Sequence, residues 1–179
     1  MRILYQLTSP MEKTVLGPAE VARRREFLRA RAAPGVEVEV WSLADGPPSI
    51  ESAWEAALVV PELTQAVRRA EGEGFDAVIV GCFSDPGLDA LRELVEIPVV
   101  GPGSSAVHLA AQLGTRFSVI APLGGGEGRL AARLRALGLA DKFASVRGIG
   151  LSVLDLARDR EAVLERVTEV ARTAAREDG

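Results

Sequence analysis

An α/β fold built on parallel sheet is the class this sequence predicts, and three observations predict it. Strand-like and helix-like segments alternate from the first residues, in the order β-α-β-α-β. The segment DAVIVGC (76–82) is a nearly continuous apolar run, as expected of a strand covered by helices on both faces. Glycine and proline punctuate the intervening segments at helix ends, at Pro34-Gly35, Gly114 and Gly138.

Residues 2–7, RILYQL, read as the first strand, followed by the loop TSPMEKTVLG. A helix is expected from Pro18 or Ala19 to about Ala32, because proline suits a first helical turn and Pro34-Gly35 stops the segment. In VEVEVWSL (36–43), Val36, Val38 and Val40 alternate with Glu37, Glu39 and Trp41, which predicts a half-exposed edge strand. The turn-rich ADGPPSIES offers Ser49 or Ser52 as the cap of a helix through WEAALVVPELTQAVRRAEGEG, broken or kinked at Pro61. After the DAVIVGC strand, a helix is expected from near Pro86 to Leu94, capped by Asp85. IPVVG gives a short strand, and Gly101-Pro102-Gly103-Ser104-Ser105 leads into the helix SAVHLAAQLG. FSVIAPL is a strand, 127–138 a helix, and KFASVRGIG a strand and loop. From Leu154 to about Arg176 a last helix carries Val163, Val167, Val170 and Ala174 along one side.

Composition narrows the function. The 179 residues are 47% hydrophobic and 26% charged, a folded composition without a disorder signature. A net charge of −4 gives no electrostatic footprint for nucleic acid or an anionic membrane surface. Arg23-Arg24-Arg25, flanked by Glu20 and Glu26, reads as a solvated helix face. One cysteine permits no intrachain disulfide and no zinc pattern. The opening MRILYQLTSPMEK reads as strand and loop and not as an export signal, and no run is long enough to span a membrane, so the expected location is cytoplasmic. Only Lys13 and Lys142 are lysines among 21 basic residues, and neither sits where a Schiff base would be held, which argues against pyridoxal phosphate. No acidic cluster suggests a metal, and GGGEG (124–128) lacks the lysine and hydroxyl of a phosphate loop. The expectation is therefore no cofactor and no metal.

Two places carry chemistry. Cys82 ends a strand, where open α/β sheets deliver reactive groups, and a helix start beyond it would favour a thiolate. Asp85 acts against a thiolate unless its charge is spent on capping. The competing reading of Cys82 is a small buried hydrophobe. The second place is GPGSSAVH (101–108). Gly101 and Gly103 permit close backbone approach, and Ser104 and Ser105 stand at a helix start suited to a carboxylate or enolate-like oxygen. Ser104 serves equally as a plain N-cap, and His108, one turn into the helix, equally as a packing residue.

GPPSIESAWEAALVVP (46–61), FDAVIVGCFSDPGLDALRE (75–93), IPVVGPGSSAVHLAAQLGTRFSVI (97–120) and VLDL (153–156) together resemble the hydantoin racemase branch of the aspartate/glutamate racemase superfamily. The resemblance implies two Rossmann-like α/β lobes with parallel sheets and a cleft between them: 1–100 bearing Cys82, and 101–179, the second lobe incomplete. It implies cofactor-independent inversion of an acidic Cα–H in a hydantoin or amino-acid derivative, with one cysteine from each lobe as acid and base on opposite faces. Cys82 matches the first cysteine, and Thr8, Ser9, Phe83, Ser84, Ser104, Ser105 and His108 are the candidate substrate contacts. It also implies a homo-oligomer acting on a small molecule.

The chain departs from the family pattern at three places. Gln6-Leu7-Thr8-Ser9-Pro10 stands where relatives carry an Asn-Pro-Asn-Thr-like loop, so Thr8 and Ser9 would replace its donors. Ala121 stands where a threonine is common. The strand with the second cysteine is missing, which leaves three expectations open: a truncated racemase, a different acid such as His108, or proton transfer on one face only. The alternative functions are a one-base isomerase or decarboxylase, a racemase of free aspartate or glutamate, and an inactive small-molecule-binding relative. No arginine adjoins Cys82 or Ser104 in sequence, which favours an uncharged hydantoin over a free dicarboxylate.

Overall fold

The computed structural model describes residues 1–178; Gly179, the last residue of the expected second lobe, lies outside the described residues. The chain divides into two compact units, Met1–Ser105 and Ala106–Gly179. Each holds a parallel sheet with helices packed on it, so the α/β class stands.

In the first unit β1 (Arg2–Gln6), β2 (Glu37–Trp41), β3 (Ala77–Val80) and β4 (Val99–Val100) form one sheet in the order β2-β1-β3-β4, every pair parallel. Its helices are α1 (Gly17–Arg29), α2 (Ala53–Leu58), α3 (Val60–Gly72) and α4 (Leu88–Leu94). Strand alternation sorts side chains to two faces. Leu4, Val78, Val80 and Val99 bury against Val59, Leu63, Val67 and Ala70 of the α3 region and Leu88 and Leu91 of α4. Val40 and Leu7 bury with Met11 and Val21, and Tyr5 packs against that group from the sheet.

β2 is the edge strand that its valine–glutamate alternation predicts. Its outward carbonyls are covered: Arg29 Nε donates to Val38 O at 3.1 Å and Arg25 Nη2 to Val40 O at 3.5 Å. The arginine run of α1 is thus only in part the solvated face expected, with Arg23 exposed and Arg24 and Arg25 half-buried. Arg23 and Arg24 both bind the buried carboxylate of Glu20, at 2.7 and 2.8 Å. The reason is that α1 has almost no apolar stripe. It buries Glu20 beside Val21, and a carboxylate leaves water only when its lone pairs are satisfied.

Glu20 carries a testable consequence. Hydrogen bonds from Arg23, opposed by burial and supported by Arg24, bring its carboxyl down to about 2 from the usual 4.5. A depressed carboxyl contributes stability that is full above the unfolded value and fades as pH falls from 4.5 towards 2. Glu20→Gln is expected to lose about 2 kcal/mol of unfolding free energy at pH 7, and the difference from the parent is expected to vanish towards pH 2. Urea titrations across that range measure it.

The helix expected to break or kink at Pro61 is broken, into α2 and α3 on either side of Val59. Ser52 caps α2 with a reciprocal box: its hydroxyl accepts from Glu55 N at 3.2 Å while the Glu55 carboxylate accepts from Ser52 N at 2.7 Å. Pro61 falls in the first turn of α3, where its missing N–H costs nothing. The expected cap of α4 differs. α4 starts at Leu88 behind Gly87, and the Asp85 side chain goes elsewhere.

α5 (Pro102–Leu113) crosses the division between the units. In the second unit β5 (Phe117–Ala121) and β6 (Phe143–Gly148) pair in parallel, with α6 (Glu127–Ala136) against β6 and α7 (Arg160–Glu177) against both strands. All eleven strand residues are only half-buried. Polar groups tie this unit together: Asp178 accepts from Ser118 Oγ at 2.7 Å, Ser145 Oγ at 2.6 Å and Arg147 Nη2 at 2.6 Å. The Arg147 and serine donors hold its carboxyl far below the usual range. Among the described residues no helix is long and apolar enough to cross a membrane.

Candidate active site around Cys82

β3 delivers Cys82 to its carboxyl end through Gly81, and close packing explains why that residue is glycine. A Cβ at position 81 would come within 2.6 Å of the Tyr5 ring, and Gly81 N donates to Gln6 O at 2.7 Å. The chain then folds tightly: Cys82 N bonds Val80 O at 2.8 Å, and Asp85 N bonds Cys82 O at 3.0 Å. The turn closes with Asp85 in the left-handed region at φ 47°. The Cys82 side chain is partly exposed, and its Sγ lies 3.1 Å from Ser84 Oγ, a pair in which either atom can donate. Cys82 is thus half-buried and not wholly enclosed in the core.

Asp85 anchors the turn from behind. Only 6% exposed, its carboxylate accepts from Gly103 N at 2.9 Å, Ser104 N at 2.7 Å and Ser104 Oγ at 2.5 Å, and so caps α5. The carboxylate at the α5 amides is therefore the protein's own. Gly101 has to be glycine for the same reason, since a Cβ there would overlap the Asp85 carboxylate and Leu88. The effect is to rivet the thiol-bearing turn to the first turn of α5 within one unit.

The structure brings the sequence candidates together unevenly. Cys82, Phe83 and Ser84 share one turn, with Phe83 exposed, and Ser104 joins that turn through Asp85. Ser105 Oγ donates back to Gly101 O at 2.9 Å. Thr8 and Ser9 follow β1 and are 7% and 5% exposed, with Ser9 O accepting from Leu43 N and Ser42 Oγ. His108 is exposed on α5, in the second unit. Two open troughs lie elsewhere, one of about 490 Å³ along α7 and one of about 450 Å³ along the outer edge of β2, and neither is lined by Cys82. Among the described residues no group of three or more His, Cys, Asp or Glu is placed to hold a metal ion.

Sequence reasoning missed Tyr5, Arg24 and Glu20. Burial raises the Tyr5 phenol above its usual value, the neighbouring Arg24 opposes this by charge and hydrogen bond, and the Cys82 charge adds to the rise. Arg24 and Cys82 thus both stand near Tyr5. Two signals were present: the Glu20–Arg24 spacing of one helical turn, and a glycine directly before Cys82 that leaves room for a ring.

Parallel α/β units with a reactive side chain at a strand's carboxyl end define a class of fold in which small-molecule chemistry recurs. The model of the Asp/Glu/Hydantoin racemase family matches residues 20–179, and the chain belongs to that family. It is 37% identical to a hydantoin racemase of Pseudomonas sp. (strain NS671) over 133 residues, 74% of this chain and 53% of that protein. It is 34% identical to a hydantoin racemase of Paenarthrobacter aurescens over 148 residues, 82% of this chain and 63% of that protein. Among solved structures, an allantoin racemase from Klebsiella pneumoniae superimposes with a TM-score of 0.88 at 30% identity, covering 100% of this chain and 71% of that one. The chain thus spans between half and two thirds of the length of these two curated relatives.

Proposed function

We propose that Cys82 is an acid/base group that moves the proton on an acidic carbon beside a carbonyl, and that the substrate is a five-membered cyclic ureide of the hydantoin class. The observation that carries this reading is the partly exposed sulfur at the end of β3 with a hydroxyl 3.1 Å away. The names of the relatives, hydantoin and allantoin racemases, support the substrate class.

The chemistry balances without an added electron carrier. The Cys82 thiolate takes the ring hydrogen as a proton, the C–H pair moves into the carbonyl, and the oxygen carries the charge as an enolate. Ser84 carries a hydroxyl 3.1 Å from the sulfur and would donate either to the thiolate or to that oxygen, where developing charge makes a donor most effective. Ser104, Ser105, Thr8, Ser9, Phe83 and His108 are proposed to contact the substrate less directly. Return of the proton from the thiol restores the same enantiomer. Inversion needs a second acid on the opposite face, and the sequence given contains one sulfur of this kind.

The test is a hydantoin bearing one ring substituent, incubated in deuterium oxide and followed by proton NMR with chiral separation. The expected result is loss of the ring C–H signal faster than in buffer, with exchange running ahead of inversion. No exchange above buffer at high protein concentration would remove the proposal.

A further inference from the structure

The trough along the outer edge of β2, about 450 Å³, falls within the size range of small-molecule sites, roughly 300–1,000 Å³. Its lining residues all belong to the first unit, and Cys82 is not among them. Gln6 lines it from the carboxyl end of β1. Strand alternation sends the Gln6 side chain to the same face as Leu4, which shares a core with Leu63 and Val67 of α3. Glu62, Ala66 and Arg69, one stripe of α3 at helical spacing, form a wall, and Trp41 lines the trough from β2.

The Gln6 side chain is almost wholly buried, 1% exposed, and its amide has one sensible orientation. Nε2 directs its hydrogens to two backbone carbonyls, Leu7 O at 2.8 Å and Trp41 O at 3.5 Å, so turning the amide over would set oxygen against oxygen. Oε1 then has no donor among the described residues. Buried carbonyl oxygens are nearly always paired, because losing water without a substitute donor is costly. The surrounding charges indicate which donor suits this place. Arg69 is neutralised by Glu73 at 2.7 Å and lies over the Trp41 ring at 4.5 Å. Arg25 donates to Val40 O at 3.5 Å, and Lys13 donates to Ala44 O at 2.6 Å. Glu12 and Glu62, which also line the trough, form no ion pair among the described residues.

We infer that this trough binds a small molecule carrying a protonated primary amine, whose N–H groups donate to Gln6 Oε1 and whose charge faces the Glu62 carboxylate. The site is separate from Cys82 and stands without the proton-transfer reading. A primary ammonium brings several donors and one positive charge, which answers both the unpaired oxygen and the unpaired carboxylates. Arg25 suits a carboxylate on the same ligand, so the amine fits either as a plain alkylamine or as part of an amino acid.

Propylammonium is the probe, and the two tryptophan indole N–H resonances of the nitrogen-15-labelled protein are the readout. The Trp41 peak is expected to move saturably while that of Trp54, exposed on α2, stays in place. Propyltrimethylammonium carries the same charge without an N–H and is expected to bind roughly tenfold more weakly. Gln6→Met removes Oε1 at similar volume and is expected to weaken propylammonium roughly tenfold. Glu62→Gln, on a half-buried wall, is expected to do the same and carries the test if the Gln6 variant does not fold. β-Alanine, in which a carboxylate replaces the methyl of the probe, separates the two sources. Tighter binding than propylammonium assigns an amino acid, and equal or weaker binding a plain amine. A Trp41 peak unmoved by either amine overturns the inference. Equal affinity for the quaternary ion, or parental affinity in Glu62→Gln or in folded Gln6→Met, overturns it as well.

Discussion

Cys82→Ser is expected to slow exchange of the hydantoin ring hydrogen by roughly 10²–10⁴-fold while leaving the urea midpoint nearly unchanged. The substitution changes one atom on a partly exposed side chain, so neither cavity nor strain follows. A serine hydroxyl ionises too weakly to act as a base near neutrality, whereas a thiol is within reach of it. The Ser84 contact also separates the two cases. With sulfur, the 3.1 Å neighbour can donate to a thiolate; with oxygen, two neutral hydroxyls share a hydrogen bond that does no proton transfer. NMR exchange rates measured with both proteins at equal concentration make the comparison. Equal rates would place the chemistry on some other group.

The second large effect is on stability. Asp85→Ala is expected to cost roughly 3 kcal/mol, because a buried helix cap is lost and the Gly103 and Ser104 N–H groups and the Ser104 hydroxyl lose their acceptor together. The loss does not stay local. Asp85 is the link between the Cys82 turn and α5, and its left-handed backbone is tolerable only while the side chain holds it there. The same variant is therefore expected to loosen the Cys82–Ser84 pair. Asp85→Asn retains one acceptor oxygen and is expected to fall between the parent and the alanine variant. Urea unfolding measures the first effect and the alkylation rate of Cys82 the second. An alanine variant as stable as the parent would mean that water takes over all three donors.

Much of this architecture was legible because it is local. Period-two valines announced β2 as an edge strand, the apolar run 76–82 announced β3, and Ser49 or Ser52 was legible as a helix cap, of which the structure uses Ser52. Cys82 at a strand end followed from the same run. What sequence alone did not reveal depends on groups far apart along the chain. Asp85 looked like the cap of the helix just after it, because proximity in sequence favours α4. Its carboxylate instead bonds residues 18 and 19 positions away. The arginines at 23–25 looked solvated because charge runs on helices usually are. Their roles appear only when Glu20 is buried beneath them and the β2 carbonyls lie within reach. Tyr5 was hidden in a strand read for its apolar character. Its ring restricts position 81 only once parallel pairing sets Tyr5 opposite Ile79.

The central claim is that an acidic ring carbon comes to rest against the Cys82 sulfur. Substrate protection tests it most directly: the rate of iodoacetamide alkylation, read by mass on the single cysteine, is measured against rising hydantoin concentration. The account predicts a saturable slowing with the same half-point as the exchange reaction. Alkylation at one unaltered rate across the whole series, in a folded protein that still exchanges the substrate hydrogen, would contradict it.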